Sequence, residues 1–135
     1  MHPVRNDSPH NFAELGHEWL TAAKVLNANG KNWPGGPIYF LAFQALELYL
    51  KAYLLRKGAT LQHVTYKIGH SIQLAIKEAE GKGLGLNLDP RFRQTLMEFS
   101  DAYKRRDCQY RGNQQGPVFL PGDLISFVDE VRSKS

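Results

Sequence analysis

Four basic side chains and two tyrosines fall within nine residues late in the chain: Tyr103, Lys104, Arg105, Arg106, Tyr110 and Arg111, opposed only by Asp107. Cations this dense create a local positive field suited to phosphate. Aromatic rings interleaved with them suit stacking on bases, as in single-strand binders. The plainer reading is a solvated helix end, where cations complement the C-terminal dipole. A second polar group stands out because of its surroundings. Glu47 and Lys51 lie four apart in the most apolar stretch of the sequence. Lys51 could meet a phosphate at a cleft. It could equally form an intrahelical ion pair with Glu47, worth only about 0.2–0.5 kcal/mol on an exposed helix. A carboxylate among so many apolar residues must be paired or hydrogen-bonded. His70 follows Gly69 at a helix start, where it either caps the helix or bonds to Glu47. Glu47 and His70 thus read first as structural polar residues.

Other chemistry is weaker. His17-Glu18 begins like a zinc-protease helix motif, but Thr21 stands where the second histidine belongs. The glycines from Gly81 to Gly85 have the wrong spacing for a dinucleotide loop, and the Trp33-Pro-Gly-Gly-Pro37 turn lacks the Lys-Ser/Thr of a phosphate loop. Cys108 lies beside arginines that would lower its pKa, but no base is placed to make it a nucleophile. His63 reads as a solvated loop residue. No metal site and no cofactor are expected.

The elements that must hold these groups are helical. Ser8-Pro9 is an N-cap followed by a first-turn proline. Phe12, Leu15, Trp19, Ala22, Ala23 and Leu26 then trace one apolar stripe, and Asn29-Gly30 closes the helix. The Trp33–Pro37 turn precedes a second helix, about 38–57, apolar on nearly every side and so the central one. Residues 59–68 form a connection without a clear pattern. Ile68, Ile72, Ala75, Ile76 and Ala79 mark a short third helix. Asp89-Pro90 opens a fourth, with Phe92, Leu96, Phe99 and Tyr103 on one face. Residues 105–117 read as a polar loop. Pro121-Gly-Asp123 opens a fifth, burying Leu124, Phe127, Val128 and Val131. With no strand alternation, the expectation is one all-α domain, an antiparallel up-and-down bundle of about five helices with its core at about 9–132.

The whole-chain numbers agree. One hundred and thirty-five residues suit a single domain, and 42% hydrophobic with 22% charged residues excludes a wholly disordered chain. The net charge of +4 permits a nucleic-acid partner without requiring one. A single cysteine excludes an internal disulfide framework and a multi-cysteine zinc site. The apolar stretch Ile38–Leu50 is shorter than the roughly 20 residues of a membrane span, and no secretory h-region appears. The expectation is a cytoplasmic protein without a membrane partner.

Three stretches together resemble HEPN domains: the helix from Tyr39 to Gly58 carrying Glu47 and Lys51, Gly69-His70 with the Ile72–Ala79 helix behind it, and the first helix with Trp19, Ala22 and Ala23. The resemblance covers about Phe12 to Tyr110. It implies a four- or five-helix bundle, commonly dimeric, associated with nucleotide binding, RNA cleavage and prokaryotic toxin–antitoxin or defence systems. HEPN ribonucleases carry an arginine followed after four to six residues by histidine. Here Arg105 or Arg106 matches the arginine, but no histidine follows. Arg56 and His63 have the spacing at the wrong place. The resemblance therefore points first to a non-catalytic module binding nucleotide or single-stranded RNA through Lys51, Tyr103, Lys104, Arg105, Arg106, Tyr110 and Arg111. A divergent metal-independent ribonuclease using Arg105, Arg106 and Tyr110, with His70 reaching in, is the enzymatic alternative. A homodimeric interaction module beside a nucleotidyltransferase-like partner is the third, with Trp33, Tyr39, Tyr49 and Tyr53 available for an interface.

Overall fold

A computed structural model describes residues 8–29, 35–104 and 120–135. They form five α-helices, α1 (Pro9–Asn29), α2 (Gly35–Arg56), α3 (Ile72–Gly81), α4 (Pro90–Lys104) and α5 (Pro121–Lys134), with a π-helix (His63–Ile68) between α2 and α3. No strand occurs among the described residues. The all-α class matches the periodicity; the π-helix is a sixth helical element that the periodicity does not indicate.

Local chemistry explains the helix ends. The Ser8 hydroxyl accepts from the Asn11 amide at 3.2 Å, leaving Pro9 in the first turn, where its missing N–H costs nothing. Ser71 caps α3 by accepting from Leu74 N–H at 3.1 Å. At α5, Leu120 cannot cap with its side chain, so Asp123 reaches back. Its carboxylate accepts from Leu120 N–H at 3.0 Å, and the negative charge also suits the helix N-terminus.

α2 is the hub. It packs against α1, α3, α4, α5 and the π-helix, which is why apolar residues surround it. Ala42, Phe43, Ala45, Leu46, Leu50 and Ala52 have no exposed surface. Each large apolar side chain removed from water in this way contributes about 1.5–3 kcal/mol. By length and composition, Pro37–Arg56 could cross a membrane, which the shorter Ile38–Leu50 estimate missed. Its window is 78% buried among the other helices, and that packing accounts for its apolarity.

α1 approaches α2 closely at Gly16, where a Cβ would lie 3.4 Å from Ala45 O, Leu48 Cβ and Tyr49 Cζ. The buried line of α1 runs through Gly16, Leu20 and Ala23. Leu15, expected in the stripe, is 45% exposed instead. A helix centred on a glycine contact turns its neighbour Leu15 outward, and the apolar pattern alone gives no weight to glycine.

Aromatic rings hold α4. Tyr39 and Phe99 meet edge-on at 5.1 Å, Phe43 stacks on Tyr103 at 5.5 Å, and Phe92 meets Phe127 of α5 at 5.6 Å. Arg93 clamps Glu80 of α3 with two bonds, at 3.1 and 2.6 Å. This bidentate pair is half-exposed and adds at most about 1 kcal/mol.

Three tyrosines expected at an interface lie in the core. Tyr39, Tyr49 and Tyr53 are buried, and the Tyr53 hydroxyl donates to Lys82 O at 3.0 Å. Trp33 lies outside the described residues.

Candidate functional site

Three polar side chains of α2 fall on one face. Gln44, Glu47 and Lys51, spaced three and four apart, share a stripe of an otherwise apolar helix. Glu47 sits at the centre with its side chain 5% exposed. Its Oε2 accepts from Lys51 Nζ at 2.8 Å. Its Oε1 accepts from the Tyr103 hydroxyl at 2.6 Å and lies 3.0 Å from His70 Nδ1. The Tyr103 hydroxyl also lies 2.6 Å from the Gln44 amide. One hydroxyl proton cannot serve both at once. The ionised carboxylate is the stronger acceptor. With its NH2 turned to the phenol oxygen, Gln44 becomes the donor, and every group then has a partner.

Burial pushes the Glu47 carboxyl up. The Lys51 charge beside it and the bonds from Lys51, Tyr103 and His70 pull harder, so it ends below the ordinary glutamate value. Glu47 is therefore a fixed anion at neutral pH, gathering donors from three segments of the chain.

Backbone geometry brings His70 to it. The π-helix buries Val64 and Ile68, and the Gly69 amide closes it by donating to Val64 O at 3.3 Å. Gly69 then turns at φ 56°, ψ −124°, a combination that strains any residue with a Cβ. That turn returns His70 toward α2 just ahead of the Ser71 cap. The His70 side chain stays 46% exposed, and its ring stands edge-on to Tyr103 at 6.3 Å. One imidazole nitrogen is thus set on a buried carboxylate while the ring reaches the surface. A carboxylate on Nδ1 fixes ring orientation and favours the tautomer with its proton on that nitrogen.

The structure separates the expected binding residues. Lys51 is committed to Glu47, and its side chain is 8% exposed. A phosphate would have to displace a buried carboxylate to reach it. Tyr103 has no exposed surface. Its ring is enclosed by Phe40, Phe43 and His70. Lys104, one residue later, is exposed at the end of α4. Arg105, Arg106, Tyr110 and Arg111 lie outside the described residues, as do Asp107 and Cys108. His63 is no loop residue. It starts the π-helix, half-buried, with Nε2 2.7 Å from Glu78 Oε1.

Sequence reasoning missed Gln44 and the role of the Tyr103 hydroxyl. Three polar residues on one stripe of α2 were the available signal for Gln44. Nothing local in the sequence marks Tyr103, whose partners stand 56 and 59 residues away. Among the described residues, no group of three or more histidine, cysteine or carboxylate side chains could hold a metal ion. Comparison with protein-family models, with curated proteins and with solved structures finds no match.

Proposed function

We propose that this protein is a non-catalytic, HEPN-like helical module that binds nucleotide or single-stranded RNA phosphates through the basic run that begins at Lys104. The supporting observation is the anchoring of α4. Tyr103 is bound to Glu47 in the core, and the next residue, Lys104, is exposed. Lys104, the first residue of the run, is therefore held at the surface next to Tyr103, whose ring meets the half-exposed ring of His70. With Tyr103 in the core, Tyr110 is the aromatic side chain left for stacking. Lys51 balances Glu47 and takes no part in binding.

Fluorescence anisotropy with a short single-stranded RNA tests this reading. Four phosphate contacts on a single strand give a log–log salt slope of about −3, so affinity falls by about 50-fold between 50 and 200 mM salt. Lys104→Ala combined with Arg105→Ala and Arg106→Ala flattens that slope. Binding indifferent to salt and to these substitutions refutes the assignment.

The His70–Glu47 contact favours a second reading, a metal-independent ribonuclease toxin. Attack by an RNA 2′-hydroxyl needs a base, and a surface histidine oriented through Nδ1 by a fixed carboxylate has the form of one. Arg105 and Arg106 would steady the phosphate, with Tyr110 beside them. This reading requires cleavage by the wild-type protein that His70→Ala abolishes. RNA left intact by the wild type returns the protein to the binding reading.

A further inference from the structure

Tyr49 presents a problem on the opposite side of α2. It is 2% exposed, and its hydroxyl is buried with no hydrogen-bond partner, the one such side-chain atom among the described residues. Buried hydroxyls nearly always have partners, so an orphan calls for an explanation. Its location supplies one. A Cβ at Gly16 would lie 3.4 Å from Tyr49 Cζ, the carbon that carries the hydroxyl. The polar end of the ring therefore lies under α1. Arg132 and Asp129 of α5 both act electrostatically on that phenol. Where α1 and α5 meet there, a cavity of about 520 Å3, wide open to solvent, is lined by His10, Glu14, His17, Glu18, Tyr49 and Arg132 together with Ala13. That size falls within the range of small-molecule sites.

The charges are divided between the walls. α5 contributes the Arg132 guanidinium, which lies 3.3 Å from Asp129 on its own helix. α1 contributes Glu14, 3.1 Å from His10, and Glu18, which has no ion pair among the described residues. A simple anion would face two glutamates, and a simple amine would face an arginine. A molecule carrying both charges satisfies both walls. We propose that this cavity binds a small zwitterion of the amino-acid class, its carboxylate on Arg132 and the Tyr49 hydroxyl and its ammonium on Glu14 and Glu18. The occupant gives the Tyr49 hydroxyl the acceptor it lacks. Lys104, where the basic run begins, is not among the lining residues.

Thermal melts of the intact protein test this. The probes are the twenty L-amino acids at about 10 mM, with acetate and ethylamine as the separate halves. At least one amino acid should raise the Tm by about 4 °C, the shift expected at about ten times the dissociation constant. Neither half should do so. Tyr49→Phe removes the orphan hydroxyl, so it should leave the ligand-free Tm equal or higher while weakening binding about tenfold. Glu18→Gln, at an exposed position, should lose the response with the fold intact. The proposal is overturned if no amino acid shifts the Tm, or if acetate or ethylamine acts as well as an amino acid. It is equally overturned if Tyr49→Phe binds as the wild type does, or lowers the ligand-free Tm, since the hydroxyl would then already have a partner.

Discussion

Replacing Lys51 with methionine tests the polar centre most directly. Methionine keeps an unbranched chain of similar reach and deletes only the charge. In an exposed helix, an ion pair four residues apart is worth about 0.2–0.5 kcal/mol. Here both side chains are almost wholly buried and the contact is 2.8 Å. At an effective dielectric of about 20, that distance corresponds to a gross attraction of about 6 kcal/mol. Removing one partner strands a buried carboxylate, and such losses run at about 3–5 kcal/mol. For a domain of this size, that is a fall in Tm of about 10–20 °C. Urea denaturation at pH 7 measures it directly. Glu47→Gln with Lys51→Met should recover most of the loss, because the amide oxygen still accepts from Tyr103 and no charge remains. The cycle should show a coupling of about 2 kcal/mol or more. A single-variant cost below about 1 kcal/mol, or a double variant that is merely additive, refutes the reasoning.

Three more outcomes follow from particular groups. Gly69→Ala should cost about 1–3 kcal/mol in chemical denaturation, since a Cβ there meets only Thr65 O at 4.0 Å and the penalty is backbone strain rather than a clash. Glu47 is held below its ordinary pKa, so the stability it contributes is fully present above the unfolded value of about 4.3 and is lost as pH falls through the lower folded value. A Tm–pH profile should therefore fall more steeply in acid for wild type than for Glu47→Gln. Tyr39 runs the other way. Burial, with Asp123 adding to it, pushes its phenol up to about 12. Its stabilisation is complete below pH about 10 and is lost as pH rises toward 12. Absorbance titration of tyrosinate should show a late step that Tyr39→Phe removes.

Much of the fold could be read from the sequence because its signals were local. Ser8-Pro9, Asp89-Pro90 and Pro121-Gly-Asp123 all stand at observed helix starts. The all-round apolarity of α2 marked it as central, since only a helix contacted from several sides needs such a surface. The π-helix was not legible. Val64 and Ile68 are its buried pair, but two apolar residues in a polar segment do not distinguish a wide helical turn from a loop. The site was half legible. Glu47, Lys51 and His70 stood out as polar residues in apolar or helix-start settings. Their assembly with Tyr103 depends on contacts across more than fifty residues. The same distance explains why Tyr103 reads in sequence as a surface aromatic of the basic run and in space as a core residue.

α4 meets α2 through long side chains more than through close backbone approach. Its last buried residue, Tyr103, is also a donor to Glu47. The phenol thus acts as a latch between two equilibria. On the proposed function, a ligand that draws Lys104 outward also draws a donor away from Glu47. The carboxylate then holds its charge less firmly and His70 loses the neighbour that flanks its ring. Ligand occupancy at one end of α4 and proton uptake in the core are then reciprocally linked, each changing the other by the same free energy.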